Sequence, residues 1–458
     1  MGNHRVRRAL VSLPLILLVA FGARLAFAWN QQRKIPRDVL ASVPFEQETG
    51  NIAASLAQGR GFGSVFRQAT GPTAWLAPVY PFLVSLIFRC FGVFTFNAFV
   101  ACVLLNVLFS TAVCVPIFYI GECVDRVELG AAAAWLWALF PNAIMVPFEW
   151  IWDTSLSALL AAVLLWFTLR LTASSRLLDW LLYGLLWGIS LLTNPALGSL
   201  LPFLLAWAWI RARRKSGARI SSPLLAIGVV ILCCAPWTIR NYRAFHRFIP
   251  LRSNFAFELW LGNNDVYDIH SPNARTRITQ YEEIRRYRQL GEAAFMQEKW
   301  NKATEFMRTH PQLEIELVSR RFLATWIGLD YPIRDFFRTD SLLVRVLLIL
   351  NLVTALGALM GIIALWRQRN SFAFPVSTFP IVFPCLYYLT HASLRYRHPI
   401  DPILLLLVVI GVSTIRPDHS TLTPLNSTRE PPTQAPSLLP SESKPKPARF
   451  VALSNRAP

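Results

Sequence analysis

The chain has 458 residues, of which 54% are hydrophobic and 16% are charged. Near-continuous apolar runs of about 16 to 25 residues recur along it, the length needed to cross a hydrocarbon core of about 30 Å, and this distribution excludes a soluble globular protein. The formal net charge of +19 fits attraction to anionic membrane lipids, but no soluble basic domain indicates nucleic acid as a partner.

The apolar runs predict the order of membrane spans. The first run follows Arg5, Arg7 and Arg8 as in a signal peptide, but no clear small-residue cleavage site follows it, so we interpret it as a retained anchor. Ten membrane-spanning helices are predicted, at residues 9–29, 97–120, 129–147, 154–171, 177–193, 196–210, 221–238, 342–366, 372–390 and 400–415.

Residues 77–92 form a further apolar segment, which is short and carries Pro78, Pro81 and Arg89. Cytoplasmic loops are enriched in Lys and Arg. If this segment lies along the interface, the N-terminal arginines, the basic cluster at 211–219 and the C-terminal tail all fall on the cytoplasmic side. If it spans, that cluster falls outside. We therefore expect a juxtamembrane or re-entrant helix.

These patterns predict an all-α polytopic membrane protein with about ten transmembrane helices, juxtamembrane helices in the first outer loop and a small, mostly helical outer domain. Alanine, phenylalanine and methionine recur at helical spacing between Tyr281 and Thr309, which predicts amphipathic helices there. The tail is rich in Pro, Ser, Thr and Lys and is expected to be disordered. The expected division is an N-terminal transmembrane module, an extracytoplasmic loop domain, C-terminal transmembrane helices and a cytoplasmic tail, at residues 1–238, 239–341, 342–415 and 416–458.

The predicted spans and their orientation place five polar connections on the outer face of the helical bundle. Because they carry carboxylates and arginines, we expect the face to hold a catalytic or binding site. The connections are residues 30–96, 148–153, 193–195, 239–341 and 390–399.

Two glutamates follow the first span in the stretch FEQETGNIAASLAQGRGF. A carboxylate at a partly desolvated membrane face can have its pKa raised toward the range that a general base needs. Alternatively, Glu46 and Glu48 solvate the loop or cap a helix expected to begin near Gly50, since carboxylates suit a helix N-terminus. The residues alone leave both interpretations open.

A second acidic pair, Glu149 and Asp153, lies between two spans and is flanked by Trp150 and Trp152. Ionisable groups at such a boundary mark either function or ordinary interfacial solvation. Arginine binds phosphate through a planar fork, although snorkelling to the interface is the alternative role. Four arginines lie just outside span ends on the outer face, where a lipid phosphate would sit: Arg240, Arg252, Arg395 and Arg397.

Several short blocks resemble bacterial membrane glycosyltransferases of the GT-C superfamily, in the branch related to protein O-mannosyltransferases and lipid A aminoarabinose transferases. They occur in the matching order, from the first span to about residue 415. The blocks are ETGNIAASLAQGRGF, GPTAWLAPVYP, PWTIRNYRAF with LRSNFAFELWLGNND, and LRYRHPIDP.

The resemblance implies transfer of a sugar from a polyprenyl-phosphate donor to a lipid, glycan or protein acceptor by an inverting, base-assisted mechanism. The reaction would occur on the extracytoplasmic face of the inner (plasma) membrane. By the resemblance the base would be Glu48, with Glu46 second. The family pattern often has aspartate where this chain has EQE, which leaves the assignment between the two glutamates open. Arg240, Arg395 and Arg397 would bind the phosphate of the donor.

No cofactor is required by such chemistry, because a phosphate-linked sugar already carries a good leaving group. A divalent metal held by Glu149 or Asp153 could share the phosphate's charge, but no residue spacing demands one. The seven cysteines lie in or beside apolar runs and show no metal-binding spacing.

The main rival interpretation is a secondary transporter or lipid flippase, whose carboxylates would bind a proton or cation. Such proteins place ionisable residues near the middle of the membrane and show two similar halves. This chain is expected to keep its charged residues at span ends, and no duplication is evident. A non-catalytic factor of envelope assembly is a second rival.

The topology can be tested by cysteine labelling in a variant without the native cysteines. Single cysteines at positions 270 and 393 should react with a membrane-impermeant thiol reagent in intact cells, because both positions belong to outer connections. A cysteine at position 216 should not react. Labelling of position 216 from outside would show that residues 77–92 cross the membrane.

Overall fold

The computed structural model describes residues 11–124, 126–264, 282–328 and 341–415. The predicted disordered tail at 416–458 lies outside the described residues. Every regular element in the described part is helical, which confirms the predicted all-α fold class, and one isolated antiparallel bridge joins Gly63 to Pro72.

The first ten α-helices are α1 (Leu13–Gln32), α2 (Arg37–Ser42), α3 (Glu48–Ala57), α4 (Val79–Phe91), α5 (Phe96–Ala112), α6 (Cys114–Cys123), α7 (Val127–Leu139), α8 (Pro141–Glu149), α9 (Thr154–Leu171) and α10 (Leu177–Thr193). The next ten are α11 (Leu201–Ser216), α12 (Ser221–Phe245), α13 (Phe255–Gly262), α14 (Glu292–Thr309), α15 (Pro311–Ile327), α16 (Leu342–Arg367), α17 (Ala373–Val382), α18 (Cys385–Leu389), α19 (Leu394–Arg397) and α20 (Asp401–Ile415). Residues 282–290 are also helical. Short 3-10 helices occupy Val43–Phe45, Pro195–Leu200 and His398–Ile400.

Seven helical stretches of the described residues are long and apolar enough to cross a membrane. The bent pair α7 and α8 makes an eighth if it counts as one span. The predicted spans 177–193 and 372–390 coincide with apolar helices that are shorter. The chain is a multi-pass membrane protein, while the count of ten spans stays a prediction.

The segment predicted not to cross the membrane forms α4, which has 13 residues. At 1.5 Å per residue such a helix is about 20 Å long, less than a hydrocarbon core of about 30 Å. Its Phe88 packs edge to face against Phe45 of the first loop, with ring centroids 5.0 Å apart. The juxtamembrane position of this helix stays a prediction.

The long connection after α12 packs on the first loop through a buried aromatic cluster. Trp75 of the first loop lies 5.9 Å from Tyr287 and 6.4 Å from Phe295, measured between ring centroids. All three side chains are buried. The two polar loops therefore form one packed layer at one end of the helical bundle.

A charged side chain lies inside the bundle, so the expectation that charges stay at span ends is wrong for Arg24. This arginine sits in the middle of α1, is fully buried, and donates to Ser110 Oγ at 2.8 Å. It also donates to the carbonyl oxygens of Trp137 and Ala138 at 3.1 Å. These carbonyls precede the 48° bend between α7 and α8, where Pro141 has no N–H to donate. Arg24 thus satisfies backbone groups that the bend exposes.

Replacing Arg24 should weaken the bundle at this bend. Arg24→Met keeps the apolar length of the side chain but leaves buried carbonyls without a donor, which should cost about 1–3 kcal/mol. Unfolding in detergent, followed by tryptophan fluorescence, should begin several degrees lower. Arg214→Met, at an exposed arginine of α11, is the matched control. An equal shift in both variants would contradict this role.

Candidate functional site

A cavity of about 300 Å³ opens where the polar connections meet. Residues from all five connections line it, including Glu48, Trp75, Trp150, Trp152, Asp153, Asn194, Arg252, Glu258, His391, Arg395 and Tyr396. The structure therefore brings together four of the predicted site residues: Glu48, Asp153, Arg252 and Arg395.

Glu48 is the first residue of α3, and α3 packs tightly on the turn before it. A Cβ on Gly50 would overlap the carbonyl oxygen of Phe45, so only glycine permits this approach. Within the described residues, the Glu48 carboxylate makes no ion pair and no hydrogen bond to another side chain. Burial and the nearby Glu258 raise its pKa, although its own backbone N–H and the charge of Arg395 oppose the shift. A half-buried carboxylate of this kind suits a general base.

Asp153 faces the same cavity from the start of α9. Its carboxylate accepts a hydrogen bond from Ser157 Oγ at 3.2 Å. Burial raises the pKa of Asp153 to about 6, although the positive charges of Arg252 and Arg395 favour the ionised form. Asp153 is thus a second acid of the site and shares the electrostatic field of both arginines.

The guanidinium of Arg395 lies in an aromatic cage. Its Cζ atom is 4.6 Å from the ring centre of Trp150 and 4.8 Å from the ring centres of Trp152 and Tyr396. Its Nη2 donates to the Tyr396 hydroxyl at 2.9 Å, which is the side chain's single hydrogen bond among the described residues. The rings fix the guanidinium plane by cation–π contact and leave donors available for an anionic oxygen.

Arg252 supplies a second cation to the cavity wall. Its guanidinium makes no hydrogen bond or ion pair with the described residues, although its charge acts on Asp153. Two residues further on, Asn254 Nδ2 donates to Glu258 Oε1 at 2.7 Å and holds that carboxylate. The cavity therefore contains two arginines with donors available, an arrangement that suits phosphate.

Sequence reasoning missed a polar chain that ends at Arg395. Glu258 Oε2 lies 3.3 Å from His391 Nδ1, and His391 Nε2 lies 2.8 Å from the hydroxyl of Tyr396. Glu258 falls within the block LRSNFAFELWLGNND, and His391 lies just before the block LRYRHPIDP, both of which carry the family resemblance. That position is the one signal that could have identified them.

Two of the predicted phosphate ligands lie outside the cavity lining. Arg240 Nη1 donates to the carbonyl oxygen of Thr73 at 2.6 Å and ties the first loop to α12. Arg397 is fully buried, with Nε 2.8 Å from Asp401 Oδ1 and Nη2 2.6 Å from Asn351 Oδ1. Their donors are satisfied within the protein, unlike those of the two cavity arginines.

Two of the predicted acids also lie outside the lining. Glu46 is exposed and forms an ion pair with Arg67 at 3.0 Å. Glu149 ends α8 and is exposed. Neither residue contributes to the cavity lining, although Glu46 is only two residues from Glu48.

The cavity acids do not converge as a metal centre would. Among the described residues, no three His, Cys, Asp or Glu side chains are grouped closely enough to hold an ion. Glu48, Asp153 and Glu258 each face the cavity, but the positions of their side chains do not fit a shared metal ion.

No protein-family model and no curated protein matches the chain. Solved structures of an archaeal oligosaccharyltransferase from Archaeoglobus fulgidus do match. A complex with Zn and sulfate aligns with a TM-score of 0.50 and 13% identity, over 88% of this chain and 49% of that one. The AglB complex with an inhibitory peptide and a dolichol-phosphate gives 0.49 and 14%, over 88% and 50%.

The similarity to the Zn and sulfate complex identifies the fold class. That protein is an oligosaccharyltransferase, and this chain is a multi-pass membrane protein with a similar fold. The chain spans about half the length of the matching structures. At such low identity the likeness concerns the fold alone.

Proposed function

We propose that this protein transfers a sugar from a polyprenyl-phosphate donor to an acceptor hydroxyl in the cavity of Glu48. The observation that carries the proposal is the presence, in one cavity, of a carboxylate with a raised pKa and two arginines with available donors. The GT-C-like fold supports the same reaction class. We further propose that the cavity faces the extracytoplasmic side of the inner membrane.

In the proposed reaction, the Glu48 carboxylate accepts the proton of the acceptor hydroxyl. The acceptor oxygen forms a new bond to the anomeric carbon as the bond from that carbon to the phosphate oxygen breaks. The electron pair of the broken bond leaves with the carrier phosphate, and the configuration at the anomeric carbon inverts. A positioned base of this type contributes about 10²–10⁴-fold to a rate.

Arg252 and Arg395 would hold the phosphate and stabilise the charge that grows on it as the sugar leaves. The Trp150 and Trp152 rings fix the plane of Arg395, so little ordering is needed at the moment of reaction. Asp153 lies in the field of both arginines and would keep them oriented before the donor enters.

The proposed acceptor is a lipid, a glycan or a protein. We propose a polyprenyl phosphate as carrier, as the resemblance of the sequence blocks implies. One matching structure contains Zn, but the acids of this cavity do not fit a shared metal ion. No step of the proposed reaction passes through a metal, and a divalent metal stays a prediction from sequence.

The role of Glu48 can be tested by Glu48→Gln, which removes the proton acceptor with little change in shape. Single-turnover sugar transfer at saturating donor should fall by about 10²–10⁴-fold, while donor binding should persist because a carboxylate does not attract phosphate. Release of carrier phosphate from polyprenyl-phosphate sugars is the measurement. In the wild type, activity should decline as pH falls through the raised pKa of Glu48, because the base becomes protonated.

Glu46→Gln is the matched control, since it makes the same change two residues away on an exposed side chain outside the cavity. It should retain most activity and the same pH profile. Full activity in Glu48→Gln would remove this residue from the mechanism. Absence of carrier-phosphate release by the wild type across a panel of donors would favour the transporter or flippase.

The phosphate role predicts that Arg395→Lys and Arg252→Lys each weaken donor binding by roughly tenfold or more. Lysine keeps the charge but loses the planar fork and, at position 395, the stacking between rings. Acceptor KM should hardly change. Arg60→Lys, at an exposed arginine of the first loop, is the control. If only the acceptor KM moved, the donor phosphate would have to bind elsewhere.

A further inference from the structure

A second and larger concave site lies apart from the cavity. It is a groove of about 740 Å³ between the end of α1, the segment 33–37, the end of α4 and the start of α5. Trp29, Phe91, Val100 and Leu104 form apolar parts of its lining, and each is between 39% and 61% exposed. An exposed apolar surface of this kind marks a site of interaction with protein or membrane.

Two arginines line the same groove at the end of α1. The Cζ atom of Arg37 lies 5.0 Å from the ring centre of Phe96, and that of Arg33 lies 6.0 Å from the ring centre of Trp29. Neither guanidinium makes a hydrogen bond or ion pair with the described residues. The amide side chain of Asn97 also lines the groove and could donate to an anionic oxygen.

We propose that this groove binds one anionic phospholipid of the surrounding bilayer, with its phosphate at Arg33 and Arg37 and an acyl chain along α5. The lining matches both parts of such a lipid: cations at one end and apolar side chains along Val100 and Leu104. Basic pockets between membrane helices on the cytoplasmic side bind anionic lipid head groups, and we infer the same pairing of charges for this groove.

Charge placement favours a phospholipid as the occupant. The topology expected from sequence puts Arg33 and Arg37 on the outer face, where positive charges beside a span are disfavoured. A bound phosphate would neutralise them. If the donor phosphate binds Arg252 and Arg395 as proposed above, the cations of the groove are available for a different lipid.

Occupancy of the groove would also stabilise the segment that leads to the cavity. Arg37 begins α2, and the chain continues through the short helix at Val43–Phe45 to Glu48 at the start of α3. Phe45 at the end of this path is fully buried. A lipid phosphate on Arg37 would therefore anchor the segment on which Glu48 depends for its position.

The test is native mass spectrometry of the purified full chain with dioleoyl-phosphatidylglycerol. The wild type should retain one tightly bound lipid, and dioleoyl-phosphatidylcholine should bind far more weakly. Arg33→Ala with Arg37→Ala should raise the Kd for phosphatidylglycerol by about fivefold for each arginine removed. Ala101→Trp, which fills the apolar part and keeps both arginines, should weaken binding as well.

The matched control is Lys34→Ala with Arg60→Ala. It removes the same charge from exposed residues of the first loop that do not line the groove. Its Kd should stay within about twofold of the wild type. Equal loss in the control, or equal binding of phosphatidylcholine, would overturn the proposal. Displacement of phosphatidylglycerol by equimolar polyprenyl phosphate would make the groove a carrier site instead.

This readout is independent of sugar transfer. If Arg33→Ala with Arg37→Ala does not yield folded protein, Ala101→Trp and the comparison of two lipids on the wild type still decide the outcome. Failure of lipid binding would leave the catalytic proposal for Glu48 untouched, and loss of catalysis in Glu48→Gln would leave the groove proposal untouched.

Discussion

The buried carboxylate of Glu292 holds the polar layer together. It accepts hydrogen bonds from the Ala74 N–H at 2.7 Å, Ser253 Oγ at 2.6 Å, the Tyr287 hydroxyl at 2.8 Å and the Thr73 hydroxyl. These donors come from the first loop, the connection after α12 and the helical segment before α14. A buried charge is tolerated only when its oxygens are satisfied in this way. The cavity residues Trp75 and Arg252 are direct neighbours of these donors in sequence. Glu292 therefore fixes the positions of two segments that line the cavity.

The arginines predicted to bind phosphate fall into two groups, according to which groups their guanidinium contacts. Arg240 and Arg397 contact groups far away in sequence, such as Thr73 and Asn351, and serve as internal ties. Arg395 is held by aromatic rings that leave donors unused. All of them look alike in sequence, as arginines just beyond a span end. No local pattern could separate them, because the distinction depends on contacts across 46 to 167 positions.

Hydropathy and the distribution of positive charge predicted the helical fold and placed five connections together, which explains why Glu48 and Asp153 were expected in one site. Hydropathy averaged over a span did not reveal Arg24, because a single charge in a 20-residue helix scarcely changes the mean hydropathy. Mean hydropathy also does not predict where a helix ends. The helix α10 has only 17 residues, and the break at Pro141 divides a predicted span. Glu258 and His391 were missed because their contact joins connections 133 positions apart in the chain.

The charges of the cavity link donor binding to the strength of the proposed base. Counting only carboxylates and guanidiniums, the ionised groups of Glu48, Asp153 and Glu258 exceed those of Arg252 and Arg395 by one negative charge. The proposed donor phosphate would add another negative charge and engage both cations, so it would raise the affinity of Glu48 for a proton further. After transfer, the carrier phosphate becomes a monoester with a higher charge, which holds the proton on Glu48 still more firmly. The base would thus be stronger with the donor bound than in the empty cavity, and it would release its proton most readily once the spent carrier leaves.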